Sequence, residues 1–233
     1  PYVEMTAWWL DSQCIRYEHE NYQHIRIPGG QRYRAIDTAI PGDFSSATFL
    51  LSAAAVTGSE LSLEGLDMDD PQGDKAVVEI LRSMGVPIEV EENRLIVRGN
   101  AVDRLSGGTF DLNAILDALP ALTAAACYAA EPVTFYNVPQ ARMKETDRIA
   151  VMAAELAKMG ARIEEREDGL TVHPTSSRAA LQGAELDGHH DHRVVMALAV
   201  AALGASESSV IDGAESASVT FPGFFESLEQ LRR

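Results

Sequence analysis

Apolar residues recur at helical spacing in several stretches of this chain, with short alternating runs between them. Ile149, Met152, Ala153, Leu156 and Met159 share one helical face. Thr146, just ahead, predicts the N-cap, which puts Lys144 and Arg148 at the helix start. Residues 76–84 predict another helix, closed by Gly85 at the position after the cap. Residues 88–90 and 94–97 alternate like the strands of a hairpin, as do 162–164 and 170–172. Three Ala-rich runs, led by Asp43, Asp117 and Asp191, predict tightly packed helices. Each is followed by a strand-like run, at 60–66, 133–138 and 209–212.

The leading aspartates lie 74 residues apart in both intervals. Equal spacing of the same helix-then-strand pattern predicts internal repetition. One unit reads as helix, strand, helix, strand, strand, with a further strand ahead of the leading aspartate, as at 109–112. The last unit closes in shortened form at 224–231. Residues 5–10, 15–18 and 24–27, ending at Gly29-Gly30, match only the back half of a unit. The expectation is therefore a chain that starts in mid-repeat, with the rest of a domain upstream. Pro41-Gly42 marks the break before the first full unit.

Composition narrows the partners. The 233 residues are 46% hydrophobic, enough for a sizeable core, and the net charge is −16. Such an acid balance speaks against nucleic acid as a partner. An acidic protein that binds an anion must gather its few cations in one place. The cysteines, Cys14 and Cys127, predict reduced thiols and a cytoplasmic setting. Apolar runs broken by Gly, Asp or Glu are too short for a membrane span. No Cys/His set has metal-ligand spacing, and no glycine-rich nucleotide loop occurs, so neither metal nor cofactor is expected.

Lys144-Glu145-Thr146-Asp147-Arg148 and Asp191-His192-Arg193 place strong cations where helices begin. Helix starts carry partial positive charge, so basic residues there suggest a bound anion. Arg148 and Arg193 can each grip a phosphate or carboxylate with a two-pronged fork. The alternative is a solvated, self-paired helix end. Asp117 is either a helix cap or a general base that takes a proton from a substrate hydroxyl.

These strings, with Pro41-Gly42-Asp43-x-Ser45-Ser46-Ala47, Gln72-Gly73-Asp74, Asn113-x-x-x-Asp117 and Phe221-Pro222-x-Phe224, resemble the 5-enolpyruvylshikimate-3-phosphate synthase family over the whole length. The resemblance implies an α/β enolpyruvyl transferase fold of repeated β-α-β-α-β-β units. Three units would form one domain, residues 41–233, and residues 1–40 would be the tail of an otherwise absent N-terminal domain. It implies transfer of the enolpyruvyl group of phosphoenolpyruvate to the 5-hydroxyl of shikimate 3-phosphate, with release of phosphate. Asp117, Lys144 and Glu145 would be catalytic. Tyr2, Gln140, Lys144, Arg148, His192 and Arg193 would bind substrate. Val219 stands where many members carry a lysine, and Gln140 where some carry an asparagine. With the missing domain supplying further contacts, the chain alone is expected to be inactive. Two other readings remain open: a non-catalytic half that needs a complementary fragment, and a UDP-N-acetylglucosamine enolpyruvyl transferase.

Overall fold

A computed structural model describes residues 1–176 and 181–231, Leu231 by its backbone alone. Residues 177–180 and 232–233 of the 41–233 segment lie outside them. The centre is built from three helices: α2 (Phe44–Thr57), α4 (Leu119–Ala126) and α6 (His192–Leu203). Each packs against the other two. Their sequences are apolar on all sides, as helices buried all round must be. Alanine makes this possible, because small side chains let three backbones approach closely. Thr48 and Thr123, fully buried among them, donate their hydroxyls to the carbonyls of Phe44 and Leu119 one turn back, at 2.8 and 2.7 Å.

Sheets cover this centre. β3 (Glu60–Glu64), β4 (Ile88–Glu91) and β5 (Arg94–Arg98) form an antiparallel sheet in the order β3-β5-β4. β6 (Gly108–Asp111), β7 (Val133–Tyr136), β8 (Arg162–Arg166) and β9 (Gly169–His173) form a second, in the order β6-β7-β9-β8, with only β6 and β7 parallel. β10 (Glu185–Asp187) and β11 (Val210–Asp212) pair in parallel. α3 (Val77–Ser83), α5 (Arg148–Lys158) and α7 (Phe224–Leu231) complete the sequence. α3 and α5 both end as the glycine pattern predicts: Gly85 and Gly160 take φ of +95° and +92°, which a side chain disfavours.

The expected unit is not uniform along the chain. Strand, helix, strand, helix, strand, strand runs in full from β6 to β9. Ahead of α2, residues 27–43 form no strand. From β10 onward the described residues give strand, helix, strand, helix. The N-terminal α1 (Tyr2–Ser12) leads to the hairpin β1 (Glu18–Glu20) and β2 (His24–Arg26), its first strand starting later than the run at 15–18 suggests.

One expected cap moves, and of the two readings of Asp117 the cap falls away. α5 is capped by Asp147, not Thr146: the Asp147 carboxylate accepts from Ala150 N at 3.0 Å. Arg142 Nη1, 2.7 Å away, holds the same carboxylate. Asp117 caps nothing. A 3-10 turn over Asn113–Ala118 precedes α4, and Ala118 is the N-cap residue. The amide two residues beyond Asp117, that of Leu119, is given to the Leu116 carbonyl within the 3-10 turn, and the next residue, Pro120, has no N–H to give. Asp43 and Asp191 do cap: Asp43 takes the amides of Ser45 and Ser46, Asp191 that of Arg193.

Candidate active site

The starts of α2, α4, α5 and α6 meet at one end of the helical centre, joined by their side chains. Arg148 is the hub. It is the first residue of α5, its side chain is 1% exposed, and it touches three carboxylates. Nε donates to Asp191 Oδ2 at 2.8 Å and Nη2 to Asp191 Oδ1 at 3.1 Å. Nη1 donates to Asp117 Oδ1 at 2.8 Å, and Nη2 also reaches Glu145 Oε2 at 2.6 Å. The helix start disfavours a cation there. The anions that offset this are the protein's own carboxylates.

Asp117 links the cations. Its Oδ1 takes Arg148 and lies 3.3 Å from Lys144 Nζ, while Oδ2 lies 3.3 Å from Arg193 Nη2. Its side chain is 14% exposed, so it can still meet a ligand from outside. Arg193 Nη1 donates to Ser45 Oγ at 2.6 Å, which joins α6 to the start of α2. Arg148 and Arg193 would repel each other at this end of the fold unless an anion or solvent stood between them. Asp117 lies between them and removes the repulsion.

Two neighbours are electrostatically distinct. Burial alone would raise Asp191, yet the Arg148 fork and the Arg193 amide hold it below the usual carboxylate range. His192 is lowered by burial and by Arg193 beside it, so it is a neutral imidazole at pH 7, not a further cation. Its Nδ1 stands 3.9 Å from Glu145 Oε1, beyond hydrogen-bond reach. The side chains of Lys144 and Glu145 are the accessible members, 32% and 47% exposed.

Tyr2 joins the group from the far end of the sequence, through Asp74. Its phenol donates to Asp74 Oδ1 at 3.2 Å. Burial, then Asp74 and Asp117, push its ionisation upward, so it stays a neutral donor. Gly73 lets the chain start come this close, since a Cβ there would lie 2.5 Å from that of Pro1. Gln140 stands apart. It precedes Lys144 in a 3-10 turn over Pro139–Met143, and its buried Oε1 has no hydrogen-bond partner among the described residues. Val219, 73% exposed, brings no charge.

Asp74 and Ser45 are site members that the sequence argument named only inside motifs, with no role. Asp74 is 4% exposed, and burial followed by the nearby Asp117 raises it from 3.8 to about 6. The folded chain therefore binds this proton more tightly than the unfolded chain does. Its stabilising contribution is full below pH 3.8 and lost as pH rises through 6. That shift corresponds to about 3 kcal/mol. Asp74→Asn, which keeps the shape and an acceptor for Tyr2, should melt several degrees higher than the parent at pH 7.5. At pH 4 the two should nearly coincide. Melting curves from pH 4 to 8 check this, and a constant gap contradicts it.

Among the described residues, no group of three or more His, Cys, Asp or Glu could hold a metal, and no helix is long and apolar enough to cross a membrane. The geometry is a cluster of alternating carboxylates and cations at converging helix starts.

The comparisons with known proteins concern the fold and the family. The architecture is shared with the enolpyruvyl transferase NikO from Streptomyces tendae, at a TM-score of 0.70 and 18% identity over 95% of this chain and 51% of that one. At 28% identity, EPSP synthase from Acinetobacter baumannii superposes with a TM-score of 0.82, covering 95% of this chain and 53% of that one. The fold is that of the enolpyruvyl transferases. The family model for EPSP synthase (3-phosphoshikimate 1-carboxyvinyltransferase) matches residues 1–228, and the chain belongs to that family. A 3-phosphoshikimate 1-carboxyvinyltransferase from Ruminiclostridium cellulolyticum is 51% identical over 98% of this chain. One from Methanocaldococcus jannaschii is 35% identical over 99%. The chain spans about half the length of these curated relatives, 53% and 52%.

Proposed function

We propose that this chain carries one half of an active site that transfers the enolpyruvyl group of phosphoenolpyruvate to the 5-hydroxyl of shikimate 3-phosphate, releasing phosphate. The observation that carries the reading is the convergence of Asp117, Lys144, Glu145, Arg148, His192 and Arg193 from three separate stretches of sequence. Both substrates bear phosphate and carboxylate groups, and the cations gathered here suit them. Residues 41–233 are the catalytic domain in this reading, and residues 1–40 belong to a second domain that provides the opposite wall.

Asp117 accepts the proton of the attacking hydroxyl as its oxygen bonds to C2 of phosphoenolpyruvate. Lys144 and Glu145 serve the proton transfers at C3, and loss of the proton and phosphate from the tetrahedral adduct restores the enol ether. Arg193 and Lys144, the more accessible cations, take substrate anions as Asp117, the carboxylate now facing both, turns to the substrate hydroxyl. Arg148 keeps Asp191 and holds the site together. Tyr2 and Gln140 offer hydrogen bonds toward shikimate 3-phosphate. Turnover needs the opposite wall, so the chain alone binds anions without catalysis.

Inorganic phosphate tests the anion site directly. It should raise the Tm of the chain in proportion to the logarithm of its concentration, and added chloride should weaken the effect. Arg193→Ala should abolish the rise, whereas Arg162→Ala, on exposed β8, should not. A rise that survives in Arg193→Ala counts against the site.

A further inference from the structure

The turn between β10 and α6 delivers Asp191, His192 and Arg193, and its backbone is under strain. His189 and His190 both take left-handed conformations, with φ of +51° and +55°. Such values are uncommon for residues other than glycine, and two in succession need support from outside. Gly188 adds to the tightness, since a Cβ there would lie 2.2 Å from Val195 Cγ2 and 2.9 Å from the Asp212 carbonyl oxygen.

The support comes from α5. Glu155, 3% exposed, is a buried carboxylate with no part in the chemistry described above. Its Oε2 accepts from the Asp187 amide at 2.9 Å, at the entry to the turn. Its Oε1 lies 3.2 Å from His189 Nε2, at the turn's crest. Lys158 Nζ balances the charge at 2.7 Å. Burial alone would raise this carboxyl, but Lys158, the Asp187 amide and His189 hold it below the ordinary range. Asp187 in turn accepts the His189 amide at 2.7 Å, and the Asp191 amide closes onto the Gly188 carbonyl at 2.9 Å.

Glu155 follows Arg148 by seven residues, two helical turns, so both lie on the same face of α5. Arg148 grips the end of the turn at Asp191, and Glu155 grips its beginning. We propose that Glu155 is a positioning residue: with Arg148 it clamps the β10–α6 turn to α5 at two points and so fixes where Arg193 meets an anion. The proposal rests on the anion-site reading above for its consequence, though not for the clamp.

The test uses the full chain with Glu155→Ala, Glu155→Gln and His189→Ala, read by amide hydrogen exchange and by affinity for inorganic phosphate. In Glu155→Ala the Asp191 and Arg193 amides should exchange about tenfold faster under conditions where α2 and α4 amides are unchanged. Phosphate should bind about tenfold more weakly to this variant, measured well below its Tm. Glu155→Gln keeps an acceptor for the Asp187 amide and should restore most of both. A residue that only adds stability would lower Tm and leave both readouts alone, and that result overturns the proposal. Should Glu155→Ala fail to fold, His189→Ala, which removes only the ring contact, must show the same losses in smaller measure. Unchanged exchange in it is equally fatal. If the parent chain shows no phosphate binding, the anion site is wrong, and exchange at Asp191 and Arg193 still decides the clamp.

Discussion

Asp117→Asn should lower kcat by about 10²- to 10⁴-fold while KM for each substrate stays within a few-fold. The assay pairs this chain with the complementary N-terminal portion of the Ruminiclostridium cellulolyticum relative, 51% identical over the shared region. A base acts on a proton that moves in the transition state, so its loss is felt in kcat more than in ground-state binding. Asp117 bonds no helix amide, so its replacement cannot act by uncapping α4. Asparagine keeps the shape, and Arg148 retains Asp191 and Glu145. A drop of a few-fold in kcat, with lower Tm, would make Asp117 a structural ion-pair partner and nothing more.

Arg148→Met should destabilise the chain by about 3–5 kcal/mol, a fall in Tm of roughly 6–20 °C for a domain of this size. Methionine fills comparable space, so the loss is chiefly electrostatic. Asp191 has no solvent exposure, and without the guanidinium its charge would be buried beside a single remaining amide and the Thr146 hydroxyl. The pH dependence carries a sharper signature. In the parent, Asp191 is held below its ordinary range, so its contribution is present above the unfolded value and lost as pH falls through the folded one. In Arg148→Met, burial would dominate and raise the same group. The variant should then recover stability relative to the parent as pH falls below about 5. Denaturant melts at pH 4.5 and 7.5 measure both effects, and an equal deficit at the two pH values contradicts the account.

The sequence made the helices legible because apolar periodicity and glycine punctuation are local. Residues 149–159, 76–84 and the Ala-rich run after Asp191 all appear as helices within a residue or two of their expected bounds. Asp43 and Asp191, which lead equivalent Ala-rich runs, cap the helices that follow them. The sequence left Asp117 open between cap and base because its neighbours resemble those of Asp43 and Asp191; the 3-10 turn that takes the Leu119 amide, and Pro120 after it, remove the cap. Thr146 was misread because Asp147, equally able to cap, is fixed by Arg142 from outside the helix. The meeting of Arg148 with Asp191 and Asp117 joins residues 43 and 31 apart in sequence, and no local pattern encodes such contacts. Repetition hinted at it, since equivalent helix starts in a repeated fold point the same way. It did not reveal that the cations would arrive already partnered. Asp74 escaped for a related reason: an aspartate in a polar turn looks exposed until Tyr2, 72 residues away, covers it.

The most direct test of the central claim is phosphate release from shikimate 3-phosphate and phosphoenolpyruvate by three samples: this chain, the N-terminal portion of the Ruminiclostridium cellulolyticum relative, and the two mixed. The account predicts release in the mixture alone, inhibited by excess inorganic phosphate and lost when the chain carries Asp117→Asn. Release by the unmixed chain, or an Asp117→Asn mixture as fast as the parent, would contradict it.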